Sequence, residues 1–434
     1  MNELLQRAYA YWSAAADFRA RRTRFKNYTY GKQWSDLVPD TDGRLLPEGD
    51  YARSRGHNPI TNNLIRQLVK TVVGRYRTMS TERQLYTTPA IREIARRNSL
   101  AELDARLMEE FLISGCAVQR ISHERRFDGT AVWVDNVNPA TIFVNPFTDP
   151  RGSDITLIGQ LHDMTWAEIV NRFSDGSRRR AADIRLAFEK GAEQWMASTG
   201  TFADTDRCVD FYSTAQPDRF RVVEVWSFDA SESAPEAPLT MHFAWHCRWF
   251  APDGTVLREY DSPFPHRQHP FAVKFYPMTD GEVHPFVEDV IEQQRCVNRM
   301  VTLIDHMLSI SAKGVLLFPA DQLPPGMTFE DVGRRWAQSD GVLPVSGRGP
   351  VMPHQVVTNT AQSGADQLLQ LQLKLFQDVS GVGDALLGRS DSSATGAQML
   401  NTQVANATAA LADTFETFLS FTENRNTKAR LTRT

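Results

Sequence analysis

Two histidines four residues apart, His242 and His246, with Cys247 beside them, form the tightest grouping of metal-ligating side chains in the chain. On a helix this spacing would put both imidazoles on one face, within reach of a single zinc ion. The segment instead alternates and runs to an Asp253-Gly254 turn, which predicts a strand, where positions four apart stand about 13 Å apart and cannot share an ion. Ordinary sheet residues are the expected role, and no metal is expected. His266, His269 and His284 lie among prolines and read as loop residues. Glu109-Glu110 and Glu288-Asp289 are adjacent pairs, so each pair divides between two sides of a helix and cannot form a shared acid–base site. Ser114-Gly115-Cys116 lacks the Gly-x-Ser-x-Gly turn that exposes a hydrolase nucleophile. A phosphate loop of the form GxxxxGK[ST] is also missing, since Gly31-Lys32 has neither the earlier glycine nor the following hydroxyl, so the chain is not an ATP-driven motor. No catalytic residue and no cofactor are expected.

Two other stretches have the composition of contact sites. The first is a polar loop from Gly388 to Gly396, carrying Arg389, Ser390, Asp391, Ser392, Ser393 and Thr395. The second is Arg334-Arg335-Trp336, together with Arg348 in the Gly347-Arg-Gly-Pro350 run. Long helices are needed to position both. After Pro285, Val290, Ile291, Val297, Val301, Ile304 and Leu308 recur at helical spacing, opposite Glu288, Asp289, Glu292, Arg295 and Arg299. Gly314 to Thr358 is a Pro/Gly-rich insert with short strand signals. A second helix follows over about Ala361 to Ser380, with Leu368, Leu371, Leu375, Phe376 and Val379, and stops at Gly381 and Gly383. Beyond the polar loop, Leu400, Val404, Ala407, Leu411, Phe415 and Phe418 hold one stripe of a third helix, capped by Ser393 or Thr395. Such stripes require partners, from this chain or from a neighbouring copy, because burying each large apolar side chain gains about 1.5 to 3 kcal/mol. The charged faces exclude a membrane span.

Upstream, an N-terminal helix leads to the aromatic and basic run Tyr28-Thr-Tyr-Gly31-Lys-Gln33-Trp34. After a Gly/Pro/Asp-rich loop, the Asn-rich segment Asn58 to Asn63 opens a helix burying Leu64, Ile65, Leu68 and Val72. Ile94, Leu100, Leu103, Leu107 and Phe111 form a further helical face that Gly115 breaks into a strand, and Asp128-Gly129 marks a hairpin. The spacing then predicts a strand over Ile155 to Leu161, a helix over Thr165 to Phe173 and a basic helical insertion over Ser174 to Thr201. Period-two strands start at Arg221, where Val223, Val225 and Ser227 oppose Val222, Glu224 and Trp226. An α+β body therefore precedes the long helices.

The 434 residues suggest two or three units, and a formal net charge of −4 argues against a surface that grips nucleic acid all over. The charge is uneven: from Arg19 to Arg97 basic residues outnumber acidic ones about two to one, which can steer phosphate or simply form a solvated face. Cys116, Cys208, Cys247 and Cys296 are scattered, which predicts small buried hydrophobes in a reducing cytosol. The first residues lack the pattern of a signal peptide.

The order of elements, with Tyr28, Gly31, Gln33 and Trp34, the Asn58 to Gly74 entry into a helix ending Val-Val-Gly, and the Gly381 to Gly396 loop, resembles the tailed-bacteriophage portal proteins of the short-tailed-phage type, the head-to-tail connectors. The resemblance implies an α+β portal fold. Its expected parts are a wing body over 1–284, a first stem helix over 285–313, a clip over 314–358 and a second stem helix over 359–382. A tunnel loop over 383–396 and a long wing helix with a short tail over 397–434 complete it. It further implies a homo-oligomeric ring, typically dodecameric, at one capsid vertex of the virion, assembled in the host cytoplasm. Double-stranded DNA would pass through it without sequence specificity, facing the tunnel-loop residues Arg389 to Thr395. The large terminase subunit and head-tail adaptor proteins would dock on the clip at Arg334, Arg335, Trp336 and Arg348, and the major capsid and scaffold proteins would surround the ring, with no membrane involved. Only a polar segment, Asn424 to Thr434, follows the third helix, so the crown of larger relatives is expected to be reduced or absent. Another structural virion protein, or a metal enzyme built on His242, His246 and Cys247, remains the alternative.

Overall fold

A computed structural model of the chain describes residues 2–83, 86, 88–126, 129–198, 210–214, 216–232, 241–311, 315–319, 323, 326–337, 354–356, 362–382, 409 and 411–433. Helices α1 (Glu3–Ala14) and α2 (Ala16–Thr29) precede the short strands β1 (Leu37–Pro39) and β2 (Leu45–Pro47) and helices α3 (Glu48–Ser54), α4 (Leu64–Glu82), α5 (Pro89–Asn98) and α6 (Leu100–Ser114). Strands β3 (Cys116–Arg126), β4 (Gly129–Asn136), β5 (Ile142–Val144) and β6 (Leu157–Thr165) follow, then α7 (Trp166–Phe173) and α8 (Arg178–Ser198). Next come β7 (Arg219–Glu232), β8 (Met241–Phe250), β9 (Val256–Asp261), β10 (Phe271–Phe275) and α9 (Phe286–Ser311). The chain continues through β11 (Val315–Leu317), α10 (Phe329–Ala337), β12 (His354–Val356), α11 (Gln362–Ser380) and α12 (Ala412–Arg433). Two compact units result: Met1–Tyr30, Ile65–Asp289 and Ser380–Thr434 make the larger, and Gly31–Leu64 and Val290–Val379 the smaller. The mixed α and β content agrees with the α+β fold expected from the sequence.

The larger unit is built on two antiparallel sheets, ordered β5-β6-β7-β8-β9 and β10-β3-β4. Period-two alternation along β7 is expressed as two buried faces: Val222 and Trp226 pack in one core with Ile169, Phe173, Cys247 and Trp249, while Val223 and Val225 pack in another with Leu5, Phe143, Leu157 and Phe250. Glu224, on the first of these faces, is fully buried and accepts from Arg120, His162 and the Trp226 indole. Thr165 caps α7 and Glu168 returns the bond, the reciprocal pair that fixes a helix start. Gly115 ends α6 at φ +67°, and a Cβ there would stand 2.5 Å from the Tyr276 carbonyl oxygen, so the helix-to-strand turn admits glycine alone. Strand β4 lies at the edge of its sheet, and the Asn98 carboxamide covers it: Nδ2 donates to the Val132 carbonyl, and Oδ1 accepts from the Val134 N–H.

The C-terminal segment departs from the sequence reading. Asn424 to Arg433, expected as a polar tail, is the second half of α12. Two of its charged residues are buried against partners: Arg425 donates two bonds to the Asp104 carboxylate, at 2.9 and 2.8 Å, and one to Gln119, and Lys428 donates to the Phe271 carbonyl at 2.8 Å. Gln119 also donates to Asp104 and to Asn136, and the Tyr86 hydroxyl donates to Asp104, so the fully buried ion pair has its remaining lone pairs occupied. Burial pulls the Lys428 ammonium down to about 8. A second departure concerns cysteine: Cys116 and Cys247 are buried as expected, but Cys296 is exposed on α9 because it lies off the buried stripe of Val290, Ile291 and Val297.

Candidate functional site

The smaller unit holds what the structure describes of the long helices and the insert between them. Along α9, Gln294, Asn298 and Thr302 stand four residues apart on one face, and all three are buried. Asn298 Oδ1 accepts from the Asn62 N–H and from Gln294 Nε2, while Asn298 Nδ2 donates to Gln33 Oε1 at 2.6 Å. Gln33 Nε2 donates to Asn63 Oδ1, Gln294 Nε2 to the Asn62 carbonyl, and the Leu64 and Ile60 N–H groups to Gln294 and Thr302. The Trp34 indole donates toward the Ile60 carbonyl and Thr61. The Gly31 to Trp34 and Asn58 to Asn63 motifs are therefore the two halves of one buried amide network, which satisfies the Leu64 N–H at the start of α4 and those of Ile60 and Asn62 before it. Glu48, also buried, accepts from Arg295 at 3.1 Å and Arg299 at 2.6 Å. Sequence reasoning quoted the motifs but passed over Gln294, Asn298 and Thr302; their four-residue repeat of neutral polar groups beside an apolar stripe was the available signal.

The insert between α9 and α11 closes on itself. β11 and β12 pair antiparallel with Val315 opposite Val356 and Leu317 opposite His354, so a 36-residue excursion, 318 to 353, leaves and returns through one short ladder. Within it α10 carries Arg334 and Arg335 in its last turn, where cations offset the negative end of the helix dipole. Both are exposed, and Val332 is the buried anchor. Trp336 lies on the same helix. Arg348 and the tunnel-loop candidates Arg389, Ser390, Asp391, Ser392, Ser393 and Thr395 lie outside the described residues. α11 exposes Leu368, Leu371, Leu373 and Val379 and buries Phe376.

His242 and His246 lie on β8, as their alternation predicts, and His246 pairs with Asp261 across to β9 at 2.5 Å. The Cys247 thiol is buried, which pushes it well above its usual range. Glu109 and Glu110 are likewise divided: Glu109 pairs with Arg66 and accepts from Tyr30, whereas Glu110 pairs with Arg22 at 2.6 Å. Among the described residues no group of three or more His, Cys, Asp or Glu is placed to hold a metal ion, and no helix is long and apolar enough to cross a membrane.

Compared with known proteins, the chain matches the family model described as phage P22-like portal protein over residues 5–422, which takes in both units. No curated protein matches it. Because that match runs through the body, the helices and the insert between them, the chain belongs to the P22-like phage portal protein family.

Proposed function

We propose that this portal protein forms a homo-oligomeric ring, of twelve subunits as is typical of portals, which occupies one capsid vertex and conducts the genome during packaging and ejection. Residues 1–284 supply the wing body, 285–313 and 359–382 the stem, 314–358 the clip, 383–396 the tunnel loop and 397–434 the wing helix. The family match over nearly the whole chain carries this reading. The ladder of β11 and β12 supports it, since it turns the insert into a small module on two long helices. The mechanism is mechanical. Hydroxyls, Asp391 and the single cation Arg389 in the tunnel loop would touch duplex DNA without holding it, whereas a wall of Lys and Arg would bind through release of counterions.

Negative-stain electron microscopy of the purified chain tests the assembly: rings with a duplex-wide hole are expected, and compact monomers even with scaffold protein present would overturn the reading. Deleting Arg389 to Ala394 is expected to leave rings intact while packaged DNA falls at least tenfold. Rings lost in that deletion would place the loop in assembly. The exposed Arg334 and Arg335 would dock the large terminase subunit and adaptors. Changing both to Glu should abolish terminase pull-down from intact rings, and undiminished capture would remove the clip assignment.

A further inference from the structure

A groove of about 800 Å³ opens on the larger unit, between the start of α2, the segment 139–148 and the segment 275–283. Phe18, Phe147 and Phe275 make one wall of it: the Phe275 ring meets Phe18 edge to face at 6.1 Å between centroids and Phe147 at 5.4 Å. All three are half-buried, packing on the core of the unit from one side and lining the groove with the other. Four carboxylates, Asp17, Asp154, Asp280 and Glu282, line the groove against two cations, Arg19 and Arg21. Both cations are engaged. Arg19 donates to the Trp12 carbonyl and lies over the Trp12 ring at 3.7 Å, and Arg21 pairs with Asp17 at 3.1 Å and with Glu288 at 3.5 Å. Glu282 pairs with His284 at 3.3 Å. Two carboxylates keep unused capacity. Asp154 Oδ2 accepts from the Thr148 and Asp149 N–H groups, whereas its Oδ1 is buried without a hydrogen-bond partner. The exposed Asp280 carboxylate has no hydrogen bond or ion pair among the described residues. A groove that is negative on balance and aromatic on one wall rejects phosphate and suits a cation, whose head pairs with a carboxylate while its stem lies along the rings.

We propose that this groove docks a basic segment of a partner protein, with an Arg or Lys side chain set against the phenylalanine wall and paired with Asp280 and Asp154. An apolar residue beside that cation covers the rest of the wall. The volume falls in the range of about 300 to 1,000 Å³ that takes a whole ligand, which is more than one side chain fills. Asp17 and Asp280 stand exposed, so the groove opens to the surface and a polypeptide can run along it. The excess of carboxylates draws in a basic partner and disfavours DNA or an acidic one. None of these residues belongs to the clip or the tunnel loop, so the partner is distinct from the proteins proposed to dock at Arg334 and Arg335.

The test is fluorescence polarisation of a labelled peptide of alternating arginine and phenylalanine, titrated with the full chain. Saturable binding is expected, and the same peptide with glutamate in place of arginine should not bind. Asp280→Lys, a change at an exposed side chain that the fold does not use, should weaken binding about tenfold and reduce its salt dependence. Phe147→Ala should also weaken it about tenfold, with the salt dependence kept. Unchanged affinity in both variants would overturn the proposal, as would equal binding of the glutamate peptide. Displacement of the peptide by argininamide at equal concentration would overturn it in favour of a small cationic ligand. Binding by monomers that is lost in assembled rings would overturn it in favour of a neighbouring copy of this chain.

Discussion

Replacing Arg425 by Ala is expected to destabilise the larger unit by about 3 to 5 kcal/mol, because it strands the Asp104 carboxylate in a site with almost no access to water. The guanidinium is fully buried and takes part in three bonds to Asp104 and Gln119. Without it, Gln119 and Tyr86 still donate to Asp104, but two neutral donors do not offset a buried negative charge. Urea midpoints and hydrogen exchange along α12 would measure the loss. The pair Arg425→Met with Asp104→Leu should recover most of it, since replacing both partners by apolar groups of similar volume removes the stranded charge. A single Arg425→Ala variant within 1 kcal/mol of the unaltered protein would mean that the ion pair does not anchor α12.

Acid should unfold the same unit in two stages. Burial lowers His162, lowers His266 to about 4 and lowers His269 well below its ordinary value, the last two with Lys428 as a neighbouring positive charge. These groups are neutral when folded and take up protons when unfolded, so their contribution is present above the unfolded histidine value near 6.5 and falls away as pH drops toward 4. Glu224 acts lower down. Burial opposes its charge, yet Arg120 at 2.9 Å, His162 and the Trp226 indole hold the carboxyl down to about 2. Its contribution is present above the unfolded carboxyl value near 4.3 and disappears between there and pH 2, amounting to roughly 3 kcal/mol. Urea midpoints taken from pH 7.5 to 2.5 should decline in both windows. Glu224→Gln should flatten the lower one and His269→Gln the upper one. A midpoint that holds from pH 7 to pH 4 would show that the histidines are not kept neutral by the fold.

Elements defined by periodicity were legible in the sequence. The alternation of Val222 to Ser227 gave β7 and its two faces, and the same logic placed His242 and His246 on a strand where no ion can join them. Polar burial was not legible. Asn424 to Arg433 looks like a solvated tail because hydropathy counts Arg425 and Lys428 as exposed, whereas Asp104 and the Phe271 carbonyl, 321 and 157 residues away, make their burial possible. The amide network around Asn298 was hidden for the same reason. The motifs Gln33-Trp34 and Asn62-Asn63 were visible, but their hydrogen-bond partners on α9 lie more than two hundred residues downstream. Cys296 shows the opposite limit, since residue type predicted burial and its angular position on α9 decided against it. Arg334 and Arg335 lie exposed in the last turn of α10, a placement that helical spacing alone allowed.

The carboxamide of Asn98 on the edge of β4 also bears on self-association. A bare edge strand is a template: its unpaired N–H and C=O groups can recruit the matching strand of another copy and extend the sheet from molecule to molecule. Here one side chain occupies the acceptor at Val132 and the donor at Val134, so an incoming strand would have to displace two formed bonds before making its own. In the ring proposed for this chain, Asn98 would then work as a guard against the wrong kind of polymer.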